Sequence, residues 1–360
     1  MADRFLLGII TALIVLGVII LSGVSAHFSQ ESIGNTTYFL FHQIKFGLIP
    51  GIFLALLIYK TPLKLIRKWV PVFLFINLIL LGLVFIPGIG SHIYGASRWV
   101  NLGIIAFQPS EFLKLFFIVY LSAWLCNLNI KEKDVYKSLL PFLIIIGLIS
   151  LFLIFQPDIS TLGIIVFISV LMYFSVGTPL WHSALMILIG LSALAVLIKT
   201  STYRFNRILA LFSPKSDPMG ISFQITQSLI AIGSGGIFGL GLGMSYQKFG
   251  FLPQAMSDTI FSVYAEETGL IGSIFLVMLF LLLFWRGYKI FKDKKKDQFS
   301  QLAALGICSW ISFQAFIHIV SNLGIFPLTG VPLPFISYGG SHLLAEMMGI
   351  GLLLNISKDN

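Results

Sequence analysis

Long apolar runs, broken by short polar or basic segments, dominate the chain almost from its first residue. The run from residue 5 to 21 and beyond, like several later ones, exceeds the ~18 apolar residues that separate a membrane span from a buried core helix. The pattern predicts ten spans, near residues 5–27, 38–59, 69–86, 110–126, 138–155, 158–175, 180–198, 260–285, 302–323 and 335–356. Between the seventh and eighth lies a long segment, 199–258, without a full span. Nearly sixty residues are too many for a plain connector. The expected fold class is an all-α integral membrane protein of about ten transmembrane helices with a large extracytoplasmic loop. It forms a single membrane domain over residues 1–360. No strong internal repeat of the transporter kind is visible. Val24-Ser25-Ala26 has the look of a signal cleavage site, but the preceding run is longer than the ~7–15 residues of a signal h-region, so it reads as a retained span.

Composition narrows the picture. Hydrophobic residues are 57% of the 360 positions and charged residues 10%, with mean hydropathy +0.97. A soluble domain cannot cover that much apolar surface. The net charge of +9 would suggest nucleic acid in a soluble protein. In a membrane protein it reflects Lys and Arg gathered on cytoplasmic loops. With the amino terminus inside, fifteen Lys and Arg fall on the inner side, including Lys60, Lys64, Arg67 and Lys68 and the cluster from Arg286 to Lys296. Seven fall outside: Lys45, Arg98, Lys199, Arg204, Arg207, Lys215 and Lys248. Both termini are therefore expected in the cytoplasm, and no nucleic-acid partner is implied. Cys126 and Cys308 have neither disulfide nor metal-ligand spacing.

In this orientation spans four, six, eight and ten begin on the outer side, each with a polar opening. These are Gln108-Pro109-Ser110-Glu111, Gln156-Pro157-Asp158, Ser257-Asp258 and Ser337-Tyr338-Gly339-Gly340-Ser341-His342. Polar groups at membrane depth are costly and face a wet cavity or a partner, so four openings on one face predict one outward cavity. Glu111 and Lys114 stand three apart on one helix face, which suits a structural ion pair or ligand contact. Asp158 after Pro157 suits an N-cap or a cavity wall. Asp258 reads equally as an N-cap, as a general base or as a divalent-ion ligand. Glu266 and Glu267 lie about two turns deeper. The glycines from Gly233 to Gly243 lack phosphate-loop spacing and suit tight turns. Arg204, Arg207 and Lys248 suit an anionic headgroup or lipid phosphates. The small residues from Ser337 to Ser341 suit close helix packing. Glu346 lies deeper and needs a partner that the sequence does not name.

Together these strings resemble the SEDS family (shape, elongation, division and sporulation), the FtsW/RodA group of bacterial cell-wall polymerases. The resemblance rests on Gly95-Ala96-Ser97-Arg98-Trp99-Val100-Asn101-Leu102-Gly103, Gln108-Pro109-Ser110-Glu111 with Lys114, Gln156-Pro157-Asp158, Asp217-Pro218, the run from Gln227 to Gly236, and Pro332 through Ser341. It covers nearly the whole chain in order. The run from Gly241 to Lys248 looks closer to FtsW than to RodA. The resemblance implies a peptidoglycan glycosyltransferase that joins lipid II on the outer leaflet of the cytoplasmic membrane. It implies Asp258 as catalytic base, with Arg98, Trp99, Gln108, Ser110, Glu111, Lys114, Asp158, Arg204, Arg207, Lys248, Ser337 and Ser341 around the substrate. A divalent cation (Mg or Mn), membrane lipids, a class B penicillin-binding transpeptidase and divisome or elongasome proteins are the implied cofactor and partners. This chain departs from the family string at Gln254, Met256 and Thr259, while the aspartate is kept. Two other functions fit the same family: a lipid II flippase, and a scaffold that docks the transpeptidase. Outer clustering of the polar helix starts favours chemistry, because a through-route needs polar lining near the inner face as well.

Overall fold

The computed structural model describes residues 3–93, 96–101, 103, 106–127, 138–200, 205–207, 209 and 221–358. The helices are α1 (Arg4–Ile33), α2 (Tyr38–Lys60), α3 (Leu63–Leu83), α4 (Pro109–Leu125), α5 (Leu139–Phe155), α6 (Ile159–Ser175), α7 (Leu180–Lys199), α8 (Ile221–Ser234), α9 (Ile260–Phe291), α10 (Gln298–Asn322) and α11 (Gly340–Ile356). Each expected span falls on one of these helices, and α8 is a further helix within the long loop. Five of them, α1, α2, α3, α9 and α10, are long and apolar enough to cross a bilayer by length and composition. Large side chains such as Phe53, Phe75 and Leu188 face outward, as a lipid solvent allows. The protein is a multi-pass membrane bundle.

Helix α10 is the axis, with α4, α6, α9 and α11 packed around it and α1 and α2 outside α9 and α11. Trp310, Ala303 and Ile307 on α10 are fully buried. Local chemistry starts and breaks the elements. Asp3 caps α1 by accepting from the amides of Phe5 (3.0 Å) and Leu6 (3.2 Å), and Gly34 ends it in the left-handed region (φ 77°). Gly269 (φ 66°, ψ −163°) interrupts α9. The glycine-rich segment 235–241 fills that gap with backbone: Leu240 and Gly241 amides donate to the carbonyls of Glu266 and Glu267 (both 3.0 Å), and Leu270 donates back to Gly236 (3.0 Å). A Cβ on Gly269 would meet the Ile237 carbonyl at 2.5 Å, and Gly236, Gly239 and Gly241 take positive φ, so close approach adds to the turning role expected of the glycines here.

One feature was not legible in the hydrophobic pattern. The loop between α3 and α4 carries a three-stranded antiparallel sheet, β1 (Gly90–Ile93), β2 (Ala96–Asn101) and β3 (Ala106–Phe107), in the order β1-β2-β3. Ser91 pairs with Trp99 and Val100 with Phe107. The all-α description holds for the bundle, and the sheet is an addition to it.

The two ends differ. Asp3 and Lys358 lie at one end, where Asp3 meets Arg286, Lys296 donates to the Lys358 carbonyl and Lys358 donates to that of Tyr59. The sheet and the starts of α4, α6, α9 and α11 lie at the other.

Candidate functional site

At that second end a cavity of about 270 Å³ opens among the four helix starts, near the lower limit of small-ligand pockets. Strand β2 supplies Arg98 and Trp99, α4 supplies Glu111 and Lys114 with Gln108 just before it, α6 supplies Thr161 with Asp158 as its cap, and α9 is preceded by Asp258. Tyr338, Gly339, Ser341 and His342 at the start of α11 close the ring, with Gly330 to Pro332 behind them. The four polar openings thus share one space.

Asp258 sits in a tight turn. Gln254, in the left-handed region at φ 55°, offers its carbonyl to the amides of Ser257, Asp258 and Thr259 at 3.0, 3.1 and 3.3 Å. Thr259 Oγ1 donates to the Pro253 carbonyl at 2.8 Å. The N-cap of α9 is Thr259, and no side chain caps the helix. The Asp258 carboxylate is therefore not used as a cap, and it lines the cavity half-buried. Burial pushes its carboxyl above the usual carboxylate range, while a hydrogen bond with Ser257 and the charges of Arg207 and Arg98 pull it back in part.

Asp158 takes both roles expected of it. It caps α6 through the Thr161 amide at 3.4 Å, accepts from Ser110 Oγ at 3.0 Å and from Gln108 Nε2 at 3.5 Å, and lines the cavity. Arg98 reaches across from β2 to donate to the carbonyls of Gln156 (3.3 Å) and Pro157. The sheet thereby fixes a cation on the turn that carries Asp158.

Glu111 and Lys114 form the expected ion pair at 2.8 Å, both buried. The pair belongs to a larger network. Lys114 Nζ donates to Gln314 Oε1 at 2.8 Å and stands 5.2 Å from the Trp310 ring centroid. Trp310 Nε1 donates to the same oxygen at 2.8 Å. Gln314 Nε2 reaches the Pro332 carbonyl (3.1 Å) and Glu346 Oε1 (3.3 Å). Glu346 Oε2 accepts the amide of Phe335 at 2.9 Å, a residue held in the left-handed region at φ 65°. These are the partners of Glu346 that sequence did not name. An unusual backbone conformation of this kind persists only where its surroundings hold it.

The remaining candidates lie behind the wall or elsewhere. Ser110 is fully buried against Asp158. Ser337, also buried, donates to the Ser257 carbonyl at 2.7 Å and accepts from the Leu333 amide at 2.8 Å. Arg207 donates to the Leu328 carbonyl at 2.7 Å and acts on Asp258 through its charge. Lys248 does not line the cavity: it pairs with Glu267 at 3.0 Å and donates to the Gly243 carbonyl at 2.6 Å. Its expected place beside an anionic headgroup gives way to this pair, because a buried ammonium needs a partner close by. Arg204 and Asp217-Pro218 lie outside the described residues. Glu266 and Glu267 hold the glycine-rich loop and do not extend the cavity.

Tyr338 and His342, in the polar opening of α11, also line the cavity, and only their place beside Ser337 and Ser341 marks them in the sequence. His342 Nε2 lies 3.1 Å from the Ser337 carbonyl, and Tyr338 Oη lies 2.9 Å from His42 Nδ1. Gln43 clamps the same turn, accepting from the Gly339 amide at 3.0 Å. Among the described residues no three His, Cys, Asp or Glu side chains gather as a metal site, and both cysteines are free.

The family model for cell cycle proteins of the FtsW, RodA and SpoVE type matches residues 4–360. Stage V sporulation protein E of Bacillus subtilis is 38% identical over 359 residues, covering 99% of this chain and 97% of that protein. A probable peptidoglycan glycosyltransferase FtsW of Trichlorobacter lovleyi is 36% identical over 99% of this chain and 93% of its own length. Two solved structures share the fold. One is a chain from a peptidoglycan synthase complex that coordinates polymerization and crosslinking (TM-score 0.76, 27% identity, 99% and 97% coverage). The other is the rod shape determining protein RodA of Thermus thermophilus (TM-score 0.70, 26% identity, 99% and 96% coverage).

Proposed function

This chain belongs to the FtsW, RodA and SpoVE family of cell cycle proteins, and on that premise we propose that it is a peptidoglycan glycosyltransferase polymerising lipid II in cell division. Its site of action is the outer face of the bacterial cytoplasmic membrane, with both termini in the cytoplasm. The charge asymmetry between the bundle ends supports this orientation. One observation carries the assignment of chemistry: the Asp258 carboxylate, unused by the helix it precedes, faces a cavity that also holds Arg98 and Lys114.

In the proposed reaction Asp258 accepts the proton of the acceptor sugar hydroxyl as its oxygen attacks the donor's anomeric carbon. The bond from that carbon to the lipid pyrophosphate breaks, and the α-linked donor inverts to a β-1,4 glycan. A raised carboxyl suits a base, since proton transfer is most effective when its affinity approaches the operating pH. Arg98, Lys114 and Arg207 offset the charge that develops on the departing pyrophosphate. Gln108, Trp99, Glu111, Asp158 and Ser341 border the sugars, with Ser110 and Ser337 acting through them. The residues present do not build a protein-only metal cage among those described, and no step requires one. A divalent cation enters this proposal only as a companion of the pyrophosphate. A class B penicillin-binding transpeptidase is the proposed partner, supported by likeness to a chain of a synthase complex.

A transport role fits less well. At the opposite end Asp3, Arg286, Lys296 and Lys358 are tied to one another or to carbonyls, and the polar lining lies at the cavity end. The test is reconstitution of the purified full chain with its transpeptidase and lipid-linked disaccharide-pentapeptide. Glycan polymer is expected from the wild type and a rate lower by about 10²- to 10⁴-fold from folded Asp258→Asn; polymer at the wild-type rate from that variant, or none from either protein, overturns the assignment.

A further inference from the structure

Three successive carbonyls lead into the start of α9, and each is held by a different group from outside the turn. The Met256 carbonyl accepts the Tyr338 amide at 2.8 Å, the Ser257 carbonyl accepts Ser337 Oγ at 2.7 Å, and the Asp258 carbonyl accepts Asn322 Nδ2 at 3.0 Å. Only the third hold acts on Asp258 itself. Asn322 is the last residue of α10 and is 1% exposed.

Both donors of its side-chain amide are used. Nδ2 donates to the carbonyls of Asp258 and His318 (2.8 Å), and Oδ1 accepts from Ser262 Oγ (2.8 Å), while Ser228 Oγ stands 3.3 Å from Oδ1 and 3.0 Å from the Asn322 carbonyl. An amide has two donors, so neither is left over. The amide orientation follows from this network: turned over, Oδ1 would face two carbonyl oxygens. Ser228 comes from α8 and Ser262 from the first turn of α9, so one side chain joins three helices to the backbone of Asp258.

We propose that Asn322 is a positioning residue for Asp258, acting through the Asp258 carbonyl to aim the carboxylate into the cavity. The proposal rests on the reading of Asp258 as the base. Nδ2 and Oδ1 separate the two jobs of this side chain. The amide nitrogen holds the aspartate; the oxygen holds α8 and α9. Removing Ser262 Oγ loosens the helix junction but leaves the bond to Asp258.

The experiment compares Asn322→Ala and Asn322→Asp with Ser262→Ala in the purified full chain. Misplacement of a reacting group by about 1 Å costs on the order of 100-fold in rate. Both Asn322 variants are expected to lose ~30- to 100-fold in kcat with KM changed less than about threefold, and to move the acid limb of the pH–rate profile. Ser262→Ala is expected to stay within about fivefold of wild type with its acid limb unmoved, although it loses a buried hydrogen bond too. If Asn322→Ala does not fold, the isosteric Asn322→Asp carries the comparison.

A second readout does not depend on activity: the rate at which a water-soluble carbodiimide modifies Asp258, read by mass spectrometry. A change of about threefold or more in the Asn322 variants, absent in Ser262→Ala, is expected for a freed backbone. Wild-type kcat and labelling in a folded Asn322 variant would overturn the proposal, and so would equal losses in Ser262→Ala. If wild-type protein makes no polymer, the assigned function fails and the labelling alone decides whether Asn322 positions Asp258.

Discussion

Two clusters of buried charge occupy the same half of this bundle, and they differ in what their charges face. Around the cavity, Asp258, Asp158, Arg98 and the Glu111–Lys114 pair border open space. Beneath the glycine-rich loop, Glu266 accepts from Ser245 Oγ and from the amides of Tyr246 (3.1 Å) and Gln247 (3.4 Å), while Glu267 pairs with Lys248. Both oxygens of Glu266 and Oε1 of Glu267 hold the loop across the break at Gly269. Lys248 is the lone charged residue between positions 221 and 257, and it is turned inward. The same residue types line an open cavity in one place and hold the architecture in the other. A buried charge that closes on its own partners is a fastener, and one that borders unfilled space can act on a ligand.

The comparison breaks most visibly at Asp258. Asp258→Asn is expected to lower the polymerisation rate by about 10²- to 10⁴-fold, with the thermal midpoint unchanged or raised. The sign follows from its elevated carboxyl. A group whose folded-state pKa lies above its unfolded value contributes stability below the unfolded pKa and loses it as pH rises through the folded one. Ionised Asp258 is therefore a cost near neutrality that the amide avoids. A lowered midpoint matching the activity loss would make Asp258 a fastener like Glu267.

Lys248→Met should behave in the opposite way. Leaving Glu267 buried without its cation is expected to cost about 3–5 kcal/mol, measured by denaturation in detergent, while folded protein keeps kcat within about threefold. Lys248→Met combined with Glu267→Leu should recover most of the loss. A large fall in kcat at unchanged stability would move Lys248 into the reaction.

A smaller effect is read in the pH profile. Activity should fall as pH drops, with an acid limb centred above the ~3.9 of a free aspartate and a slope of about tenfold per unit. Stability should run the other way across the same window, and Asp258→Asn should remove that part of its pH dependence. The smallest effect belongs to Gln254→Glu, which places a carboxylate on the turn that carries Asp258. The Gln254 side chain is exposed and its carbonyl does the structural work, so rate and midpoint should move by less than about threefold and ~0.5 kcal/mol. A tenfold gain would show that the glutamate tunes the base.

Much of the site was legible in the sequence at the level of which segments meet. The openings at Gln108, Gln156, Ser257 and Ser337 were marked by polar residues where apolar ones would be cheaper, and they do converge. The role of each side chain was less legible. Asp158 and Asp258 look alike in sequence, each standing at a helix start; one caps, and for the other the next residue takes the cap position. Lys248 looked like an outward clamp because its loop was expected to lie in water. Its carboxylate partner is 19 residues further along the chain, across a helix break that no hydrophobic pattern announces. Nothing in the sequence pattern distinguished Asn322 from other polar residues at the end of a span.

The sequence alone determined the membrane-spanning bundle, its charge asymmetry and the family to which its strings belong. Those properties depend on runs of residues measured against a uniform solvent, and they can be summed along the chain. Only the tertiary structure decided which buried charges are closed and which are open. Lys114 and Gln314 are 200 positions apart, Asp258 and Asn322 64, and Ser110 and Asp158 48. A buried polar group is governed by whatever atom reaches it within about 3 Å, and that distance is set by packing, not by order along the chain.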